Sequence, residues 1–379
     1  MDFQLDEELR AIQDTFARFA DERILPRADE LDQAHEFPHE IFKAVAELGF
    51  FRMRYPERDG GLGLGFLPYC LAVEELARGS MAVAACCSMQ SLMGTNFLWA
   101  LGGEEIKERL FRPALDGDKI GSICMTEPNA GSDLRGMQTR ARQVAGGWRL
   151  NGQKMWVTLA PLADFFTVFA KAGEEDGITI FLVEKNFAGL KIGRNIEKLG
   201  VWPLTTSELA LDDCFVPDSH KLCAIGEGEA HLRKILARIR VMTGALGLGI
   251  GRAALDSAVR YAAERKQFGK PINRFQAVQL RLAEMGTDLE AATHLVRYAA
   301  WCIDNDRPVH KEAAMAKLFA SEAAAGIAEH AARIFASYGY AMEYPAQRYL
   351  RDVRFLLIGG GTSEILKLII AKEVSTAAG

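Results

Sequence analysis

The hydrophobic period of this 379-residue chain changes twice, and that order of patterns is what most limits how it can fold. From Leu5 to about Leu115 apolar residues recur at three- and four-residue steps, as in Leu9, Ile12, Phe16, Phe19 and Ala20, with charges between them. Ile41 to Leu48, Phe66 to Arg78 and Glu104 to Ala114 repeat the pattern, punctuated by the glycine-rich loop Pro56 to Gly65. Near Ile120 short runs take over: Gly121 to Thr126, Gly147 to Gly152, Phe165 to Ala170 and Ile178 to Val183, with Gly146-Gly147 and Asn151-Gly152 as turn signals. From His231 the helical period returns through Ile235 to Glu264, Phe275 to Asp304, Lys311 to Ser337 and Ser363 to Ala371. The spans predict an α+β chain, mostly α: an N-terminal helical domain over 1–119, a central β barrel or sandwich over 120–225, and a C-terminal helical bundle over 226–379. This order does not match an alternating parallel-sheet nucleotide fold.

Composition narrows the function classes. A net charge of -5 argues against a nucleic-acid binder, which concentrates Lys and Arg. No apolar run approaches the roughly 18 to 20 residues that span a bilayer. The acidic start, Met1 to Glu8, lacks the basic and apolar regions of a targeting peptide, so a soluble cytoplasmic protein is expected. The seven cysteines, Cys86-Cys87 among them, show no metal-like pair; they read as buried free thiols, with no metal and no disulfide.

Four motifs carry chemistry. Thr126-Glu127-Pro128-Asn129-Ala130-Gly131-Ser132-Asp133 follows an expected strand and is built of small residues that let backbone N–H groups approach a ligand. Asn151 to Thr158 places Trp156 and Thr158 on one strand face, an indole beside a hydroxyl that suits a flavin ring as well as a core. Arg265-Lys266-Gln267-Phe268 to Gln276 and the loop Gly359-Gly360-Gly361-Thr362-Ser363-Glu364 complete the set.

In order and spacing these motifs, with Tyr338-Gly339-Tyr340 and Arg351-Asp352, resemble the flavin-dependent acyl-CoA dehydrogenases over essentially the whole chain. The resemblance implies a C-terminal four-helix bundle, a homotetramer and one FAD per subunit. It places Met125, Thr126, Gly131, Ser132, Trp156 and Thr158 around the flavin and pyrophosphate. Arg265, Gln267, Phe268 and Gln276 would complete a neighbouring subunit's site, and Thr362 and Glu364 would meet the nucleotide. Arg333 and Ser337 stand where the family has a Gln and a Gly that meet the nucleotide. Ser132, Arg240 and Gly361 are expected near the substrate, an acyl thioester of CoA or of a carrier protein. Electron-transferring flavoprotein is the acceptor implied.

The implied reaction removes a proton from Cα and a hydride from Cβ to flavin N5. The family's carboxylate base lies two residues before the loop Thr, and here that residue is Gly360. Some branches carry it on a helix, immediately before an Arg; here Ile239 precedes Arg240. The Gly360 N–H, which would polarise the thioester carbonyl, survives the change. The absent base is typically worth about a hundredfold to ten-thousandfold in rate. Three readings remain open: a dehydrogenase whose base comes from elsewhere or from the substrate, a desulfinase-like lyase, and a silent flavoprotein subunit of a hetero-oligomer. The lyase reading wants a buried Arg where this chain has Ala84 to Ser88. Met89, Gln90 and Leu92 are candidate acyl-pocket residues.

Overall fold

The computed structural model describes residues 4–376; Met1, Asp2 and Phe3 of the acidic start lie outside the described residues. The N-terminal part holds α1 (Glu7–Phe19), α2 (Ala28–Ala34), α3 (His39–Glu47), α4 (Phe66–Gly79), α5 (Met81–Ser88), α6 (Asn96–Leu101), α7 (Glu104–Ile106) and α8 (Arg112–Leu115). Helix α1 starts where its sequence says it should: the Asp6 carboxylate accepts from the Leu9 N–H at 2.8 Å, ahead of Glu7 and Glu8. Helix α4 is buried on nearly every face, and α5, with Cys86 and Cys87, is wholly buried and carries no Arg. All seven cysteines are free and buried.

The strands are β1 (Gly121–Cys124), β2 (Arg140–Val144), β3 (Gly147–Thr158), β4 (Phe165–Ala172), β5 (Gly177–Glu184), β6 (Leu190–Asn195) and β7 (Thr206–Pro217). They form one seven-stranded sheet in the order β1-β4-β2-β3-β7-β6, with β5 antiparallel on β4. Asn151-Gly152 is not the turn its sequence suggests: β3 runs straight through it, with a register shift between Leu150 and Gly152. The Asn151 side chain accepts from the Asp213 N–H at 2.8 Å, so the pair makes a bulge against β7 instead of reversing the chain. Gly146, at φ +75°, does sit in the β2–β3 turn.

The C-terminal part is helical: α9 (Gly228–Glu264), a hairpin of β8 (Lys266–Gln267) and β9 (Lys270–Pro271), α10 (Gln276–Asp304), α11 (His310–Phe335), α12 (Pro345–Asp352), α13 (Arg354–Ile358) and α14 (Ser363–Thr376). Helix α9 is the axle. Gly247 lies against the backbone of Ala320 in α11, and Gly249 against the backbone of Glu74 in α4, where a Cβ has no room. Its Arg252 reaches across to Glu74 and Glu75, ion pairs that tie the N-terminal helices to the C-terminal ones. No helix among the described residues is long and apolar enough to cross a membrane, and no cluster of metal-ligating side chains occurs there.

Candidate active site

The loop after β1 is built from the inside by a charge pair. Lys154 of β3, fully buried, donates to Glu127 Oε1 at 2.7 Å and to the Met125 carbonyl at 3.2 Å. The Gln138 and Thr139 N–H groups donate to the same carboxylate at 2.6 and 3.0 Å. Burial opposes the charge on Glu127, but these N–H groups and the Lys154 ammonium outweigh it and hold the carboxyl below its usual range. The Met155 N–H donates to the Thr126 carbonyl at 2.8 Å, so the loop is stitched to β3. Glu127 and Lys154 were not singled out from sequence; a Lys in the middle of an otherwise half-buried strand was the available signal.

Trp156 is held differently from the simple period-two strand. Its φ is +59°, inside a break in the β3–β7 register between Lys154 and Val157, and the bulge turns the indole outward. The ring is 54% exposed while Val157 beside it is buried. Two residues on, the Thr158 carbonyl accepts from the Ser122 hydroxyl at 2.5 Å. A large aromatic forced outward by strained backbone, next to a loop of small residues, fits a planar ring stacked on the sheet edge.

Met125 and Ser132 line a cleft of about 260 Å³ with Met137, Phe169, Leu232 and Leu236. At its edge Glu229 is shared by Arg135 at 3.1 Å and Arg233 at 2.9 Å. These partners, Arg135 first, hold its carboxyl below the ordinary range. Leu232 and Leu236 stand one turn apart on α9, and the next turns of that stripe bring Ile239, Arg240 and Thr243.

There the two apolar base positions meet. A Cβ on Gly360 would lie 3.2 Å from Thr243 Oγ1 and 3.6 Å from Ile239 Cγ2. Two residues far apart in sequence therefore face one space, and neither position carries a carboxylate. The loop that brings Gly360 there joins α13 to α14 and needs glycine, with φ +72° at Gly360 and +104° at Gly361. The Gly360 N–H makes no hydrogen bond among the described residues, and the Gly361 carbonyl accepts from the buried Lys317 ammonium at 2.8 Å. Thr362 caps α14, its hydroxyl accepting from the Ile365 N–H at 3.3 Å, and Glu364 is exposed in the first turn.

Arg265, Gln267, Phe268 and Gln276 do not join this space. They lie at the other end of α9, roughly 40 Å from Leu236 along the helix axis. Phe268 is 93% exposed at the hairpin tip, and the Arg265 guanidinium sits 5.6 Å from the Tyr338 ring centre. Arg333 is paired with Glu329 one turn earlier, and Ser337 is exposed nearby. Gln90, fully buried, bonds the Ala114 and Lys119 carbonyls and the Gly121 N–H, and Met89 and Leu92 are core, so none of the three lines the cleft.

The middle-domain model of the acyl-CoA dehydrogenases matches residues 122–214, the N-terminal-domain model 6–118 and the C-terminal-domain model 226–375. The chain is 67% identical over 377 residues to a benzylmalonyl-CoA dehydrogenase of Aromatoleum aromaticum, covering 99% of this chain and all of that protein. The glutaryl-coenzyme A dehydrogenase glutaryl-CoA complex superposes with a TM-score of 0.96 at 36% identity, covering 99% of this chain and 97% of that one. PigA with FAD and proline superposes at 0.95 with 30% identity, covering 99% of both chains. The chain belongs to the acyl-CoA dehydrogenase family: it is an FAD-binding oxidoreductase of acyl-CoA thioesters with that family's fold.

Proposed function

We propose that this enzyme oxidises an acyl-CoA that carries a carboxylate on Cα, and that loss of this carboxylate as CO2 replaces proton abstraction. The observation that carries the reading is the apolar meeting of Gly360 and Ile239, where neither position supplies a side chain to take a Cα proton. The name of the Aromatoleum relative supplies the chemistry, since a benzylmalonyl thioester bears a carboxylate at that carbon.

The step balances without a base. The Cα–carboxylate bond breaks, CO2 departs, and the bonding pair becomes an enolate of the thioester. The pair then forms the Cα=Cβ bond as a hydride leaves Cβ, giving an enoyl-CoA. Bound FAD supplies the hydride acceptor. The free Gly360 N–H stabilises the charge arriving on the thioester oxygen, which is where preorganised donors contribute most.

The cleft along Leu232 and Leu236 suits the pantetheine arm, with Ser132 and Gly361 near the thioester end, and Arg135 and Arg233 suit the CoA phosphates. Met125, Thr126, Gly131, Ser132, Trp156 and Thr158 would hold the flavin end of FAD, and Thr362 and Glu364 the nucleotide. The distance of Arg265, Gln267, Phe268 and Gln276 from that corner supports their serving a second copy, together with Arg333 and Ser337, in a homotetramer. Electron-transferring flavoprotein is the proposed acceptor.

The test is anaerobic mixing of the FAD-loaded enzyme with benzylmalonyl-CoA labelled in the free carboxylate. One labelled CO2 per flavin bleached is expected. Bleaching without CO2, or equal turnover of 3-phenylpropionyl-CoA, overturns the reading.

A further inference from the structure

Arg240 is 5% exposed and makes no hydrogen bond or ion pair among the described residues, and its Nε and Nη1 are sealed from solvent without partners. A buried guanidinium left alone is strongly unfavourable, so such a residue is retained where an anion arrives. Burial alone pushes it below the ordinary arginine value.

The surroundings explain why no counter-ion is at hand. On α9 the neighbouring stripe, Ile239 and Thr243, faces Gly360, and the Thr243 hydroxyl is spent on the Ile239 carbonyl at 2.8 Å. From α11 the nearest charge is another cation, Lys317, which already donates to the Gly361 carbonyl. The acids of this corner are engaged or outside: Glu322 accepts from the Ser363 hydroxyl at 2.6 Å, and Glu364 is in solvent. In this corner the chain lacks a carboxylate at both base positions while keeping the cation.

We propose that Arg240 is the receptor for the substrate's α-carboxylate, so that the ligand brings the counter-ion this corner lacks. The inference rests on the reading above. It goes beyond it by naming the side chain that selects a 2-carboxyacyl thioester over the same thioester without the carboxylate. One turn beyond Leu236, Arg240 stands at the inner end of the stripe that lines the cleft. Ile239 gives the carboxylate an apolar wall on one side, and the guanidinium fixes its orientation on the other. Charge leaves the carboxylate as CO2 forms, so the contact is stronger before reaction than during it. Arg240 therefore sets affinity more than rate.

The experiment measures binding of benzylmalonyl-CoA and 3-phenylpropionyl-CoA to FAD-loaded wild type and Arg240→Gln, from the flavin absorbance change. Losing a hydrogen-bonded charge contact should weaken benzylmalonyl-CoA roughly 10- to 100-fold. The affinity for 3-phenylpropionyl-CoA should stay within about threefold, and KM should move more than kcat. Equal weakening of both thioesters, or of neither, overturns the inference. If wild type itself does not prefer the carboxylated thioester, the functional reading fails first. Arg240→Lys, which keeps the charge, should retain part of the preference. Should either variant lose its flavin, a carboxamide analogue of benzylmalonyl-CoA asks the same question of wild type: tenfold or weaker binding supports the contact, and unchanged binding sinks it.

Discussion

Helix α9 carries a part-buried arginine, Arg252, and a buried one, Arg240, three turns apart, and they are treated in opposite ways. Arg252 meets the buried Glu74 and Glu75 of α4, with Arg78 and Arg297 filling out the network, so each buried carboxylate has a resident partner. Arg240 is more deeply buried and has none among the described residues. Burial raises the Glu74 carboxyl even with Arg252 beside it. On the proposal above, the interior leaves Arg240 bare because a ligand brings its partner, whereas Arg252 is matched by the protein itself. The paired end of α9 joins parts of the fold, and the unpaired end is where chemistry is expected.

The largest effect should come from giving the bare end its own carboxylate. Ile239→Glu sits mid-helix with no backbone penalty, next to Arg240 and facing Gly360. It should oxidise 3-phenylpropionyl-CoA about 100- to 10,000-fold faster than wild type, the usual worth of a positioned base. Gly360→Glu should gain less, because a side chain at φ +72° costs about 1–2 kcal/mol and its Cβ would press on Thr243 Oγ1 at 3.2 Å. Anaerobic flavin bleaching measures both. If neither variant gains, the missing carboxylate is not what limits this substrate.

The next test removes each arginine. Arg252→Leu leaves buried Glu74 with only Arg297 at 3.9 Å while Glu75 keeps Arg78, and breaking a buried pair costs at most about 3–5 kcal/mol. Arg240→Leu leaves nothing unpaired and should be neutral or stabilising in substrate-free protein. Denaturation midpoints of the FAD-loaded variants decide it. Equal destabilisation by both would show that Arg240 has a structural role and would dissolve the contrast.

Much of this contrast was legible in sequence, but only as separate letters. Helical and strand periods gave the three parts in order, since they depend on local burial that each segment repeats. Gly360 and Ile239 each read as an empty base position. That the two face each other is a tertiary fact, made by the packing of the α13–α14 loop on α9. The isolation of Arg240 is a property of all its neighbours, which no single motif carries. Asn151-Gly152 misled because turn chemistry is local, whereas the β3–β7 ladder is long enough to absorb the pair as a bulge. Lys317 had a signal that went unread: it falls on the same helical stripe as Ala313, Ala320 and Ala324, where a charge has no solvent.

Lys317 adds a pH axis to the same comparison. Burial pushes its ammonium down from 10.5 to about 8, against the opposing pull of Glu322. The sign follows from proton counting: between about pH 8 and 10.5 the unfolded chain holds a proton that the folded one has lost, so stability attributable to this group rises with pH across that window. The cost of keeping it charged at pH 7 is up to about 3 kcal/mol. Lys317→Met removes that cost, so its stability relative to wild type should be greatest at pH 7 and should shrink by pH 10. Thermal melts at both pH values test this. A difference that does not change with pH would mean the Gly361 carbonyl, not burial, governs this lysine.

The smallest effect concerns backbone rather than charge. At Gly360 and Gly361 the positive φ values are met by residues without a Cβ, so the corner proposed to meet substrate is unstrained. Ala336, at the C-terminal end of α11, holds φ +56° and ψ -129°, a region suited to glycine, and an alanine there stores strain on the order of 1–3 kcal/mol. Part of any relief is lost because glycine is freer in the unfolded chain, by roughly 0.5–1 kcal/mol. Ala336→Gly should therefore stabilise by about 1 kcal/mol, read as a small rise in melting temperature. Its affinity for FAD carries the sharper information. If FAD binding falls although the fold is firmer, the strained turn is shaped for the nucleotide, and the end of the molecule far from Arg240 is also built around a ligand. If FAD binding is unchanged, the strain at Ala336 belongs to packing alone, and the unpaired end of α9 stands out as the place where stability has been given up for substrate.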